Sequence, residues 1–305
     1  MSIQTNIKIF LKGLAIASFS ISGLLVSPQG VKAEDFTYEE CPDSGSTDAT
    51  VVNIDENMDG ECLHTPDKYE LTIYEMGLCT NHPLTGNVGS KVFDKSSCEI
   101  TMVSTTGTVV DLAPGTATSK TSQLPSATSR PASNSYSYAY IILNTEFNLK
   151  GSYTLANGTT YYTKPGTDSE GYPYGEADSS LSAALGHTDD IDNLYFGDDS
   201  LGWDGEMTAT DMPGGGKVSA LLLKECTGAA CEGTEGLATT KANTDRLLGV
   251  FETNAGSPVV IKDSTKGLEV ELVVKKSGYV MWLNDEGDEI GGFGSAPFKP
   301  VFSVF

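Results

Sequence analysis

Asp55-Glu56-Asn57-Met58-Asp59-Gly60 is the stretch whose residue types and spacing come nearest to a recognised chemistry. Oxygen ligands at alternating positions, closed by a glycine, open a calcium-binding loop. The twelfth position of such a loop wants a glutamate, and here it is Pro66. Asp55, Asn57 and Asp59 therefore stand as calcium candidates of a loop unlike the helix-flanked kind, with an acidic turn as the alternative. No other cofactor is expected.

A second acidic stretch holds Asp189, Asp190, Asp192, Asp198, Asp199 and Asp204 around Tyr195 and Trp203. Carboxylates for hydroxyl groups and aromatic faces for stacking are what a carbohydrate- or ligand-binding surface uses. A solvated acidic loop is the alternative, and the composition already favours it. Asn284, Glu286 and Asp288 repeat the pattern more weakly, and Asn157-Gly158-Thr159 reads as a hairpin turn as well as a glycosylation sequon.

Nothing in the chain argues for an enzyme. The three histidines, His64, His82 and His187, stand far from any HExxH or GxSxG pattern, and no glycine-rich loop carries a phosphate-binding lysine. Paired acids of the glycosidase type arise by chance in a chain this acidic.

Six cysteines remain to be placed. Their spacing suggests three sequential bridges: Cys41 with Cys62, Cys79 with Cys98, and Cys226 with Cys231. Zinc is disfavoured because no CxxC pair occurs.

The elements that must position these residues are strands. Leu71 and Ile73 alternate with polar neighbours, as do Cys98, Ile100 and Met102, then Thr108 to Leu112. Tyr136, Tyr138 and Tyr140 lead into an apolar run, and Asn157-Gly158 marks a hairpin. Residues 164–216 read as loop, with one short helix capped by Asp178 and ended by Gly186. Further strands are expected at 217–223, 246–252, 259–262, 268–274, 279–283 and 297–305. The count is about ten to fourteen short strands with at most one or two short helices. The class is all-β, a disulfide-containing sandwich or jelly roll with room for two β domains. Residues 113–135, rich in Ser, Thr and Pro, read as a linker or long loop between a disulfide-containing region (34–112) and a C-terminal sandwich (136–305).

Residues 1–33 read as a secretory signal: Lys8 and Lys12, an apolar run from Gly13 to Val26, then Val31-Lys32-Ala33 before Glu34. No later run is long enough for a membrane helix. A net charge of −22 opposes binding to nucleic acid or anionic lipid. Together these features point to a secreted or cell-surface structural protein, extracellular or periplasmic, self-associating as a homo-oligomer or filament. A secreted binding module is the second reading, and a hydrolase using paired acids a distant third. Two segments are candidates for strand exchange: Phe36 and Tyr38 before the first cysteine, and the terminal run of Phe298, Phe302, Val304 and Phe305. So apolar a terminus must be covered, either inside its own sheet or by a neighbouring subunit.

Overall fold

A computed structural model describes residues 39–86, 91–113, 127–128, 130–145, 147–163, 183–185, 206–211, 215–224, 235–236, 238, 244–284, 286–296 and 298–305. The chain runs through α1 (Val51–Met58), β1 (Glu61–His64), β2 (Lys68–Cys79), β3 (Leu84–Thr85), β4 (Val92–Phe93), β5 (Cys98–Asp111) and β6 (Ala127–Thr128). It continues through β7 (Asn134–Tyr136), β8 (Tyr138–Leu143), β9 (Phe147–Lys150), β10 (Ser152–Thr154), β11 (Thr160–Tyr162), β12 (Ala183–Leu185), β13 (Glu206–Asp211) and β14 (Lys217–Lys224). It closes with β15 (Glu235–Gly236), β16 (Thr244–Glu252), β17 (Val259–Ile261), β18 (Leu268–Val273), β19 (Tyr279–Leu283), β20 (Ile290–Ser295) and β21 (Lys299–Val304). The class is all-β, in several antiparallel sheets, as the alternation implies.

β2 is the spine of the largest sheet. One of its edges pairs with β5; the other pairs first with β9 and then with β8. The sheet continues from β8 through β16 and β14 to β13, with β12 added beyond β9. Strands from both sides of residues 113–135 thus lie next to each other in one sheet.

Around β8 the sheet is buried on both faces. Ile141 and Leu143 of β8 enter the main core, whereas Tyr140 and Ile142 enter a second one with Leu221, Leu223, Leu248 and Val250. That double burial is why β8 reads as an unbroken apolar run. The main core also takes Val270, Leu272, Tyr279, Met281, Phe293 and Phe302 from the smaller sheets β18–β21 and β1–β19–β20, and Phe298 from just before β21. Each fully buried Leu, Ile or Phe contributes about 1.5–3 kcal/mol relative to exposure.

β2 changes phase midway. Tyr69, Leu71 and Ile73 face the main core, and so do Met76 and Leu78. The extra residue is taken up by a bulge: Ile73 and Glu75 sit opposite the adjacent residues Leu143 and Ile142 of β8. Tyr74 and Glu75 are left together on the side of the second core.

Local expectations fail in three places. Within the loop expected at 164–216, Glu206–Asp211 is a strand paired with β14. Of the acidic stretch at 55–60, only Asp59 and Gly60 form a turn, and residues 55–58 lie in a helix, α1. Thr50 caps it by accepting the Asn53 N–H at 3.2 Å, and Asp59 ends it in the left-handed region at φ 51°. Ile54, buried completely, anchors it. In the expected helix at 178–186, Ala183–Leu185 is a strand paired with Phe147–Leu149; residues 178–182 and 186 lie outside the described residues. Helical spacing of two leucines yields there to an available strand edge.

The C-terminal strand is covered by its own chain. Phe298 and Phe302 are core residues, whereas Val304 is 42% and Phe305 70% exposed. β21 pairs with β18 on one side. On the other, Asn254 acts as a surrogate strand: its Nδ2 donates to Phe302 O at 3.0 Å and its Oδ1 accepts the Phe302 N–H at 2.9 Å. Pro300 has no N–H to offer on that edge. On β20, Gly292 and Gly294 leave the berth across which the Trp282 ring lies; a Cβ at either would meet the indole.

Candidate functional site

The described residue with the most unusual chemistry is Glu75, a carboxylate 1% exposed. A buried charge persists only when paired and hydrogen-bonded. Its Oε1 accepts from Lys95 Nζ at 2.7 Å and from Tyr140 OH at 2.6 Å. Burial first, then the adjacent carboxylate, hold the Tyr140 phenol far above the ordinary value of 10.0.

Each partner has a local cause. The bulge puts Glu75 on the second-core face, two residues from the Gly77–Tyr140 cross-strand pair. Gly77 makes room: a Cβ there would sit 2.6 Å from Tyr140 Cζ. Lys95 comes from the segment between Cys79 and Cys98, which are opposite neighbours on β2 and β5 joined by a disulfide. That loop carries Leu84 and Phe93 onto the second core, and the Lys95 ammonium stands 5.7 Å from the Phe93 ring centroid. Beside it, the Arg246 guanidinium lies 4.0 Å over the Tyr74 ring. The triad is largely withdrawn from water, with the Glu75 side chain 2% and the Lys95 side chain 15% exposed. Its chemistry is that of a lock: one charge pair that ties a covalently closed loop to the central strand.

A second cluster surrounds His64. Its ring meets Tyr153 edge-on at 5.2 Å and Tyr279 at 6.4 Å, and Tyr153 OH donates to Pro42 O at 3.0 Å. Burial raises Tyr153 to about 12 and lifts Tyr279 well above its ordinary value. Burial lowers His64 below 6.5 against the pull of Asp67 and Asp43.

His82 is likewise lowered below 6.5 by burial. Its Nδ1 accepts the Leu84 N–H at 3.2 Å, so the proton of the neutral ring lies on Nε2. Below 6.5 the unfolded chain takes up protons on these rings that the folded chain does not. The histidine contribution to stability is therefore full above 6.5 and is lost as pH falls from there towards the folded values. Urea midpoints at about pH 7.5 and 5.5 test this: the wild type should lose stability over that interval, and His64→Gln/His82→Gln should lose less. Equal losses would remove the histidines from the account.

The expected site residues are distributed as follows. The bridges Cys41–Cys62 and Cys79–Cys98 are present. Cys226 and Cys231 lie outside the described residues, as do Phe36, Tyr38, Tyr195 and Trp203. Asp55 and Asn57 fall two positions apart on α1, which turns them to different faces. Asn57 Nδ2 donates to Asn53 O at 3.1 Å, and Asp59 is the helix cap. The helix does not bring the three oxygens together. Among the described residues no group of three or more His, Cys, Asp or Glu is gathered closely enough to hold a metal ion. Asn284 and Asp288 bond to one another across a turn, Nδ2 to Oδ1 at 2.8 Å. Among the described residues no helix is long and apolar enough to cross a membrane.

Sequence reasoning missed Glu75, Lys95 and Tyr140. The available signal was a lone glutamate flanked by Ile73-Tyr74 and Met76-Gly77-Leu78, a charge where the surroundings are apolar. No protein-family model, no curated protein and no solved structure matches the chain.

Proposed function

We propose that the chain is a secreted or cell-surface structural subunit of an extracellular filament, fibre or surface layer, held together through β-strand contacts. The supporting observation is the edge of β18. Gly267 and Phe305 exchange both backbone bonds, so Glu269, Glu271 and Val273 point theirs at β21. Those of Leu268, Val270 and Leu272 point away, and among the described residues no strand pairs with that edge. An unpaired strand edge on a disulfide-stapled framework is an assembly element. The buried polar chemistry fits the same reading, because the Glu75–Lys95 pair ties a disulfide-closed loop to the central strand. β18 takes the place of the C-terminal strand as the contact, since Asn254 occupies the outer edge of β21.

Negative-stain electron microscopy of the protein lacking residues 1–33, with and without calcium, tests the proposal. Ordered filaments or sheets are expected. Calcium dependence would tie assembly to the acidic residues. Isolated particles under every condition would refute the structural role.

A further inference from the structure

We infer that the partner strand received at β18 is basic: an extended segment with Lys or Arg at two alternating positions. The inference rests on the strand-contact reading above and adds the chemistry of the partner. Glu269 and Glu271 are exposed on the outer face of β18, while Val270 and Leu272 between and beside them are buried in the main core. A strand added to this edge lies about 4.8 Å away, so its outward side chains stand beside the two glutamates. Across the other edge the register puts Glu269 beside Ser303 and Glu271 beside Val301, neither of which neutralises a carboxylate. Lys299 stands opposite Val273, diagonal to Glu271, and Lys266 lies in the turn before the strand.

Charge selects among occupants. Opposite charges on directly facing residues of neighbouring strands stabilise a pair, and like charges destabilise it. A second copy docking about a two-fold at Val270 would set Glu269 against the partner's Glu271 and Glu271 against the partner's Glu269. The chain's net charge of −22 adds to that repulsion. A strand with two cations at i and i+2 meets the pair without opposition and bonds to the backbone groups of Leu268, Val270 and Leu272, which no strand among the described residues takes up. Its inward residues, small or apolar, continue the row of Leu268, Val270 and Leu272.

The test is calorimetric titration of the purified protein with three extended peptides of equal length: alternating lysines, alternating glutamates, and the lysine peptide N-methylated at alternate residues. The lysine peptide should bind. N-methylation, which keeps the charge but removes edge bonds, should weaken it at least about tenfold. The exposed double change Glu269→Lys/Glu271→Lys should transfer the preference to the glutamate peptide. Equal binding of the N-methylated peptide would reduce the effect to diffuse attraction and overturn the inference. So would an unchanged preference after charge reversal, or no binding of the lysine peptide. A wild-type dimer in light scattering that dissociates on that charge reversal would assign the edge to a two-fold contact between copies, β18 against β18, and overturn the inference. Filaments seen by microscopy together with a failed titration would sink the basic partner alone and leave the structural role standing.

Discussion

Lys95→Met is expected to destabilise the protein by about 3–5 kcal/mol, because it leaves a buried carboxylate without its cation. The Lys95 side chain is 15% exposed and that of Glu75 2%, so solvent offers little compensation. Tyr140 would still donate one hydrogen bond, but a phenol does not replace an ammonium. Glu75→Gln/Lys95→Met should recover most of the loss, since the penalty lies in the unpaired charge rather than in the absence of the pair. Urea unfolding followed by far-ultraviolet circular dichroism reads both changes as midpoint shifts at constant slope. A loss below about 1 kcal/mol for the single variant, or a double variant no better than the single one, would show that the pair is not buried as described.

Removing the Cys79–Cys98 bridge should cost about 3 kcal/mol, the scale for a cross-link closing a loop of this length; the two cysteines are 19 residues apart. Cys79→Ala/Cys98→Ala is the variant to measure. Its effect should not add to that of Lys95→Met. The bridge holds the loop that delivers Lys95, so freeing the loop weakens the same ion pair that the lysine change abolishes. A thermodynamic cycle over the two changes should give a coupling of about 0.5–3 kcal/mol. Strict additivity would mean that the η-turn at Lys95–Ser97 keeps its place without the covalent link.

Strand identity was legible where apolar and polar residues alternate cleanly. Leu268, Val270 and Leu272 alternate with Glu269 and Glu271, and the strand lies at 268–273. The hairpin at Asn157-Gly158 forms as its turn residues dictate, with Tyr153 paired to Tyr161. Cys41–Cys62 and Cys79–Cys98 follow from spacing because both pairs close short loops.

The losses have physical reasons. Alternation along β2 breaks at Ile73 because the bulge at Tyr74 shifts its phase, so a strand reaching Cys79 reads as a shorter one. Asp55 to Gly60 carries turn-forming residues, yet Ile54 finds a buried seat and Thr50 a capping geometry, and tertiary burial outweighs local preference. The Glu75 site was illegible for a different reason. Its three members come from β2, from a disulfide-closed loop and from β8, and only the sheet order brings them together. Asn254 was hidden in the same way, since its work depends on a strand 48 residues away.

Trp282 has a practical consequence. Its ring lies over Gly292 and Gly294, and its backbone is in register with Glu61 at the far edge of the same three-stranded sheet. The chain has 2 tryptophans, so replacing Trp203 with phenylalanine leaves one indole, excited selectively at wavelengths that tyrosine does not absorb. Its fluorescence then reports on a sheet whose first strand contains Cys62 of the Cys41–Cys62 bridge. Reduction of that bridge, separation of β19 from β20 and loss of the glycine berth would each register as a change in emission, which gives this sheet a native optical probe without any attached dye.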